Sequence, residues 1–464
     1  MQKSIFILLF LLFSAPACAQ QTDSIFDLNE FLGFVKKNHP IAAQANLKID
    51  EAQANLLKAR GGFDPKIDVD YNRKDFKDTE YYDLLYGTFK IPTWYGIELQ
   101  AGYELNDGSF LNPQNVVPED GLYSAGISIP IGQGLFINER MATLRQAKIF
   151  TDLNEAEREL QINELLFGAV VTYMDWYRAH LEYSLYREFL ENADLRLRNL
   201  KRQIEEGDKA PIDSIELGIT VQNRRINLRE AELDLLKARL QLSNYLWDEA
   251  YIPLEVAEGI IPENNATATL DAFLLTQNDT ISNFQVDEHP KIRSMRAKIE
   301  TLEVDRRLKA EMLKPELNLN YNFITSDARR VNTINTGDYK FGLEFSFPLF
   351  LRKERGALQL SKFKIQDASL EFDREMLALR NKATVAVSQV ENYKAQRDQV
   401  SRVTTDYQSL LQAEERKFSF GESSVFLLNT RERNLLQARL KQIELEYKLA
   451  TAQAELIRTL ALDL

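Results

Sequence analysis

The sequence predicts an α+β protein that is built twice from one unit, with long coiled-coil helices and a few strands of a membrane β-barrel. Three observations predict this fold class. Features of the first half recur in the same order in the second half, two long stretches lack proline, and four short segments alternate between apolar and polar residues. The 464 residues therefore describe two copies of one unit rather than several unrelated domains.

The composition excludes several classes of protein. The chain is 44% hydrophobic and 27% charged, which is too apolar for a disordered protein. Its net charge of −12 argues against a nucleic-acid binder, because such a protein needs a basic surface. The longest apolar run, over 5–13, is far shorter than the roughly 20 residues of a membrane-spanning helix. We therefore expect no such helix.

The first 19 residues have the pattern of a signal peptide. Lys3 precedes the apolar run, and Ala17-Cys18-Ala19 provides a small-residue cleavage site. Cys18 is the only cysteine, and a second interpretation makes it a lipid attachment site. Both interpretations predict export, and neither leaves a pair of cysteines for a disulfide bond within the chain.

The duplication divides the chain. The segment 38–40 (NHP) recurs at 288–290 (EHP), and 65–72 (PKIDVDYN) recurs at 315–322 (PELNLNYN), both at an offset of 250 positions. We predict a first structural repeat over 20–250, a linker over 251–286 and a second structural repeat over 287–464.

Each repeat contains a very long helix followed by a turn and a further helix. Because proline is absent after Pro130 until Pro211, and again after Pro348, we predict helices over 137–206 and 351–420. Each would be roughly 105 Å long at 1.5 Å per residue. Further helices are predicted over 211–247 and 424–462. The last one repeats apolar residues at alternating spacings of four and three, which is typical of a coiled coil; these residues are Leu436, Leu440, Ile443, Tyr447, Ala450, Ala454, Ile457 and Ala461.

The strands are predicted near 66–131 and near 316–349. Their alternation gives each strand one apolar and one polar face, which suits either a soluble sandwich or a membrane barrel. A barrel is favoured, since nothing nearby in the sequence could cover an apolar sheet and an open sheet edge is excluded from lipid. Four strands are too few to close a barrel, so we expect several copies to assemble.

The strand faces supply two groups of candidate residues. Asp68, Asp70 and Glu344 lie on polar faces and are expected to line the lumen. Tyrosines lie on the apolar faces near the loop ends, where aromatic residues collect at a membrane interface; they are Tyr71, Tyr123, Tyr321 and Tyr339.

One part of the first repeat stays open. The segment 96–105 alternates as well, and 82–90 could pair with it. The sequence does not decide whether this additional hairpin belongs to the barrel wall or to a long loop.

These features resemble the TolC family of outer-membrane efflux channels over essentially the whole mature chain. The resemblance rests on the duplicated order, the turn glycines Gly207 and Gly421, the strands, the signal peptide and the segment GLFINER at 134–140. It implies a homotrimer with a twelve-stranded barrel in the outer-membrane lipid and a helical tunnel, or α-barrel, in the periplasm. The linker over 251–286 would then be equatorial, and trimerisation would complete the barrel.

The resemblance also implies a function. The chain would be a passive exit duct of a tripartite efflux or secretion system, with a periplasmic adaptor protein and an inner-membrane pump of the RND or ABC type as partners. Two alternatives remain open: an exit duct for type I protein secretion, and a secreted coiled-coil scaffold without a pore. We expect no enzyme, cofactor, metal site or nucleic-acid partner, since the sequence contains no phosphate-binding loop and no catalytic spacing of residues.

At the helix turns the resemblance implies two further groups of site residues. Those implied to dock the adaptor are Gly207, Asp208, Phe418, Phe420, Gly421 and Glu422. Those implied to form the periplasmic aperture are Asp213, Leu427 and Thr430. Leu427 and Thr430 stand where the family has acidic residues, so we expect an apolar constriction that resists wetting in place of an acidic gate.

Overall fold

The computed structural model describes residues 24–257, 259–330 and 336–463. The predicted signal peptide over 1–19 lies outside these residues. The described helices are α1 (Leu28–Asn38), α2 (Pro40–Arg60), α3 (Glu139–Glu205), α4 (Pro211–Ser243), α5 (Ala266–Thr276), α6 (Asn278–Ser282), α7 (Pro290–Glu311), α8 (Arg352–Ser419) and α9 (Val425–Leu460). The described strands are β1 (Ser24–Phe26), β2 (Lys66–Phe76), β3 (Thr79–Pro92), β4 (Glu98–Asp107), β5 (Leu122–Pro130), β6 (Ile260–Pro262), β7 (Glu316–Thr325) and β8 (Tyr339–Ser346).

The chain divides into two compact units, each built from segments of both repeats. The first contains the described residues up to Lys37 together with Ala169–Phe273 and Tyr393–Thr451. The second contains Asn38–Gly168, Leu274–Asn392 and the residues from Ala452 onward. The predicted linker over 251–286 is itself partly structured, since it includes β6, α5 and α6.

The proline-free stretches form the two longest helices. α3 has 67 residues and α8 has 68, and their ends lie within two residues of the predicted ones. The two His-Pro pairs explain the starts of α2 and α7. His39 and His289 each use the ring nitrogen Nδ1 to accept a hydrogen bond from the backbone N–H two residues on, at 3.1 Å, and the proline occupies the first turn.

The sheet of the second unit has six antiparallel strands in the order β2-β3-β4-β5-β7-β8. The sheet therefore contains the four strands on which the expected twelve-stranded barrel depends, together with two more, β3 and β4. β3 includes the segment 82–90, and its alternation is incomplete because two neighbouring pairs, Tyr81-Tyr82 and Leu84-Leu85, interrupt the period of two. The hairpin that the sequence left open, formed by β3 and β4, lies within the same sheet.

Each unit has its own apolar core. In the first, Leu185 and Phe189 of α3 pack with Leu411 of α8 and Leu428 of α9. In the second, Met141 of α3 packs with Val304 of α7 at the base of the sheet, and Trp94 lies against them. Throughout the described part of the chain, no helix carries an apolar stretch long enough to cross a membrane.

Candidate functional site

One face of the six-stranded sheet collects polar side chains. Opposite residues in neighbouring strands point to the same face, and Asp68 lies opposite Thr88, Asp70 opposite Tyr86, and Glu344 opposite Asn318. The three predicted lumen residues thus share one face, and Asn320 and Asn322 of β7 alternate onto it as well.

A groove of about 490 Å³ lies on this polar face. Within it the Gln100 side chain donates a hydrogen bond to Oδ1 of Asn322 across the intervening strand, at 2.8 Å. Basic and acidic residues face each other along the same surface: Lys340 lies 3.3 Å from Glu104, and Arg140 lies 2.8 Å from Glu98. The face is therefore of mixed charge rather than uniformly acidic.

Sequence reasoning did not single out several of these polar residues as site residues. They are Lys90, Glu98, Gln100, Glu104 and Lys340. The alternation of 96–105 was the available signal for those on β4. It could not be used fully, because which face of β4 is shared with the other strands depends on its pairing partners.

The opposite face of the sheet is apolar and exposed in the single chain. Large side chains of the two edge strands are all more than half exposed; they include Ile67, Val69, Tyr71, Tyr339, Phe341, Leu343 and Phe345. An exposed apolar surface of this extent is typical of a lipid or protein contact.

The four predicted interface tyrosines all lie on this apolar face, at different heights. Tyr123 and Tyr339 are near strand ends, while Tyr71 and Tyr321 lie in the middle of β2 and β7, because these strands continue to Phe76 and Thr325. Tyr321 stacks on Tyr339 with ring centroids 5.5 Å apart, and Tyr123 contacts Tyr103 at 4.8 Å. Tyr123, Tyr321 and Tyr339 therefore lie in cross-strand aromatic pairs.

Both helix turns have the same backbone geometry. Gly207 and Gly421 follow the ends of α3 and α8 with φ of 85° and 77°. In each turn the N–H after the glycine donates to a carbonyl five residues earlier, at 2.9 Å, and the glycine N–H donates to one three residues earlier. This is the Schellman arrangement, in which glycine is favoured because a side chain is strained at positive φ.

The two turn phenylalanines lie in different surroundings. Phe418 packs against the buried side chains of Leu200, Leu217 and Val425, and the Lys209 ammonium lies 4.6 Å from the centre of its ring. The Phe420 side chain, by contrast, is 78% exposed. Of the two phenylalanines implied to dock the adaptor, only Phe420 presents an exposed aromatic surface. Asp208 and Glu422, which follow the turn glycines, are exposed as well.

Two of the predicted aperture residues, Asp213 and Leu427, lie in the first turns of α4 and α9, and Thr430 lies in the second turn of α9. Asp213 is half-buried in the first turn of α4, where a carboxylate favours the helix N-terminus. Leu427 is 44% exposed. The Thr430 hydroxyl donates a hydrogen bond to the Phe426 carbonyl oxygen at 2.8 Å, so it is directed along its own helix. Phe426, which sequence reasoning missed, is exposed next to Leu427 and extends the apolar surface there.

Side-chain contacts attach the loop after the Gly421 turn to the end of α8. The Ser423 hydroxyl donates to the Glu414 carboxylate at 2.5 Å, and Arg431 lies 3.5 Å from the same group. These contacts hold the pKa of the Glu414 carboxyl below its usual range, chiefly through the hydrogen bond from Ser423. The start of α9 is thereby attached to the end of α8.

A buried ionic cluster joins the helices behind the turns. Glu432 of α9 is 2% exposed and binds Arg224 of α4 at 2.7 Å and Arg196 of α3 at 2.5 Å. Arg224 also donates to the Phe189 carbonyl oxygen at 2.7 Å. Sequence reasoning missed this cluster, since charged residues on long helices are usually solvated and the pairing partners lie over 200 positions apart.

Metal-ligating side chains do not gather into a cluster in the described part of the chain. Across residues 24–257, 259–330 and 336–463, no group of three or more histidine, cysteine, aspartate or glutamate side chains could hold a metal ion. What the residues do provide is a polar sheet face, an apolar sheet face, and two helix turns with exposed polar and aromatic side chains.

Comparison with known proteins finds similarity to outer-membrane efflux proteins and channels. Residues 286–462 match the family model of the outer membrane efflux proteins. No curated protein matches the chain in sequence.

Solved structures match nearly the whole chain. The CmeC outer-membrane channel of Campylobacter jejuni has a TM-score of 0.64 at 15% identity, with 94% of this chain and 85% of that chain covered. The open state of the MtrE outer-membrane channel of Neisseria gonorrhoeae has a TM-score of 0.63 at 12% identity, covering 94% and 88%. The outer membrane protein VceC of Vibrio cholerae has a TM-score of 0.63 at 12% identity, covering 94% and 96%.

CmeC and MtrE are outer-membrane channels, and VceC is an outer membrane protein. Because the identities are low, the structural matches establish the fold alone. Residues 286–462 of this chain are similar to the outer membrane efflux proteins, and the chain as a whole has the fold of the matched outer-membrane channels.

Proposed function

We propose that three copies of this chain form a passive exit duct through the outer membrane, with the sheets in the lipid and the helices in the periplasm. The duct serves a tripartite efflux or secretion system, in which an inner-membrane pump of the RND or ABC type supplies the energy and selects the cargo. A periplasmic adaptor joins the two. The observation that carries the proposal is the exposed apolar face of the six-stranded sheet, opposite a polar face with a groove.

Lipid is the occupant that fits the apolar face. Burying such a face stabilises a protein by about 25 cal/mol per Å² removed from water, and in a barrel the same strands turn their polar face to a water-filled lumen. On this arrangement Asp68, Asp70 and Glu344 line the lumen, and the four tyrosines lie on the lipid side. The mixed charge of the polar face predicts weak ion selectivity rather than strong cation selectivity.

The exposed apolar surfaces of the helices are the proposed contact sites for the two other copies of the chain. α4 presents an isoleucine and leucine seam at intervals of seven residues, each member at least 50% exposed; the seam consists of Ile212, Ile219, Ile226, Leu233 and Leu240. A spacing of seven is the coiled-coil repeat, and such a seam requires a partner helix. Within the second unit α8 presents a comparable seam at Phe363, Leu370 and Leu377.

The turns at Gly207 and Gly421 are the proposed adaptor-docking sites. Phe420, Asp208 and Glu422 are exposed there. Exposed aromatic residues are enriched in protein interfaces, and charged residues occur in the polar rim around them. Phe418 supports this surface from beneath. The aperture of the duct is formed by Asp213, Thr430 and Leu427, together with Phe426.

Reconstitution tests the duct directly. Purified protein in detergent is expected to have the mass of a trimer by native mass spectrometry and to open ion-conducting pores in planar bilayers. A protein that stays monomeric and soluble without detergent, and conducts in no bilayer, would be a scaffold without a pore and would refute the proposal.

Crosslinking tests the docking surface. Phe420→Cys is expected to crosslink to a co-expressed periplasmic adaptor, whereas Glu155→Cys, an exposed position in the other unit, is not. Equal crosslinking from both positions would show that the turn is not the docking site.

A further inference from the structure

The six strands of the sheet form one uninterrupted ladder. Each neighbouring pair is antiparallel, and β3 and β4 lie between β2 and β5 rather than outside them. The ladder ends at β2 and β8, whose residues are exposed almost throughout, whereas the four inner strands are mostly half-buried. β2 and β8 are therefore two free edges.

The β3–β4 hairpin continues both faces of the sheet. On the apolar face, Phe89 lies opposite Ala101, and Ala101 opposite Ala125. On the polar face, the hydrogen bond from Gln100 to Asn322 spans β5. In a hairpin that lay in a surface loop, the apolar and polar residues would not need to be in register with those of the neighbouring strands.

We propose that this hairpin is part of the barrel wall, so that three chains close a barrel of eighteen strands. The inference rests on the proposed trimer. Because the sheet has an even number of antiparallel strands, β2 and β8 run in opposite directions. The β8 edge of one copy can then pair with the β2 edge of the next in the same antiparallel manner, and no edge remains exposed to lipid.

Eighteen strands make a considerably wider barrel than twelve. With strands about 4.8 Å apart and tilted about 40°, the backbone diameter is roughly 36 Å, against roughly 24 Å for twelve strands. Side chains fill about 5 Å from each wall, which leaves a lumen of roughly 26 Å instead of roughly 14 Å. The additional strands also bring Lys90, Glu98 and Glu104 to the lumen. The outer mouth of this duct is thus wide, hydrated and of mixed charge.

Cysteine labelling tests the position of the hairpin. Gln100→Cys and Ala101→Cys are adjacent on opposite faces of β4, and Ser128→Cys and Ile127→Cys are the matched pair on β5. Trimers in liposomes are exposed to the membrane-impermeant thiol reagent MTSES, and modification is read by mass spectrometry. The parent protein is the control for Cys18.

The inference expects both strands to behave alike. Gln100→Cys and Ser128→Cys should be modified, and Ala101→Cys and Ile127→Cys should be at least tenfold slower. If both β4 positions react equally fast while β5 alternates, the hairpin lies outside the wall and the inference is wrong, although the trimeric duct stands.

Imaging provides a measurement that needs no variant. Electron cryo-microscopy of the unmodified trimer should resolve eighteen strands in a barrel of roughly 36 Å backbone diameter. Twelve strands would overturn the inference and leave the proposed function intact. A protein without a trimer or a pore would instead refute the proposed function, and this inference with it.

Discussion

At the two helix turns, the backbone conformation requires glycine. Gly207 and Gly421 adopt positive φ, while nothing lies within 4 Å of the place where a side chain would be added. Space is therefore not the reason for glycine; backbone strain is. Gly218, inside α4, has equally open surroundings but a helical conformation.

Substitution by alanine should change the free energy of unfolding in opposite directions at the two kinds of glycine. Gly421→Ala is expected to destabilise the protein by about 1 kcal/mol, because alanine is strained at positive φ. Gly218→Ala should stabilise it by about 0.5–1 kcal/mol through the higher helix propensity of alanine. Chemical unfolding followed by circular dichroism measures both. A destabilising Gly218→Ala would contradict this account.

The buried Glu432 holds two arginines together. Glu432→Ala should cost about 3–5 kcal/mol, since it leaves the buried Arg224 without a counter-charge. The matched control is Glu188→Ala, which removes the exposed partner of Arg439 and should cost less than about 1 kcal/mol. Equal unfolding midpoints for the two variants would show that the cluster is solvated.

His289 makes stability depend on pH. Burial, together with the charge of Arg293, lowers the pKa of the His289 imidazole to about 4, and its neutral Nδ1 accepts the helix-capping hydrogen bond. The folded pKa lies below the unfolded value of about 6.5. The folded state therefore binds fewer protons, so this contribution is complete above pH 6.5 and is lost as pH falls through 4.

The measurement compares the parent with His289→Asn, which can still cap the helix but does not titrate. The parent should lose thermal stability between pH 6.5 and 4, and the variant should lose less of it. Parallel curves for the two proteins would exclude His289 as the source.

At the scale of elements, periodicity predicted the helices well and the strands partly. The ends of α3 and α8 follow from where proline and glycine are absent, which is a local property of the chain. β4 alternates between apolar and polar residues, whereas the alternation of β3 is interrupted by adjacent apolar and aromatic residues. Whether their hairpin joins the sheet depends on hydrogen bonds to β2 and β5, which no local pattern encodes.

The α4 seam makes a prediction at this scale. Ile226→Asp places a charge in the centre of the proposed helix contact and should convert trimers to monomers, because an unpaired charge is costly in an apolar interface. Glu232→Ala, an exposed change on the same helix, should leave the trimer intact. Analytical ultracentrifugation in detergent distinguishes them. An intact Ile226→Asp trimer would show that the seam does not lie between copies.

At the scale of the whole molecule, the duct should be closed by apolar side chains. Leu427→Ser is expected to raise the fraction of time that the pore is open, since a polar ring is wetted more readily than an apolar one. Leu195→Ser, which changes an exposed leucine of α3, is the control. Single-channel recording measures both, and an unchanged open fraction for Leu427→Ser would exclude an apolar gate at this position.

The sequence by itself determined the duplication, because the same segments recur 250 positions apart. It also determined the long helices, the two-faced strands and the glycine turns, because each of these depends on residues that are close together in the chain. Only the tertiary structure decided that the β3–β4 hairpin belongs to the sheet, that Phe418 is packed while Phe420 is exposed, and that Glu432 binds Arg224 and Arg196. These three outcomes depend on contacts between residues that are far apart in the sequence. Periodicity predicts which face of a helix or strand a residue lies on, but it does not predict which element packs against that face.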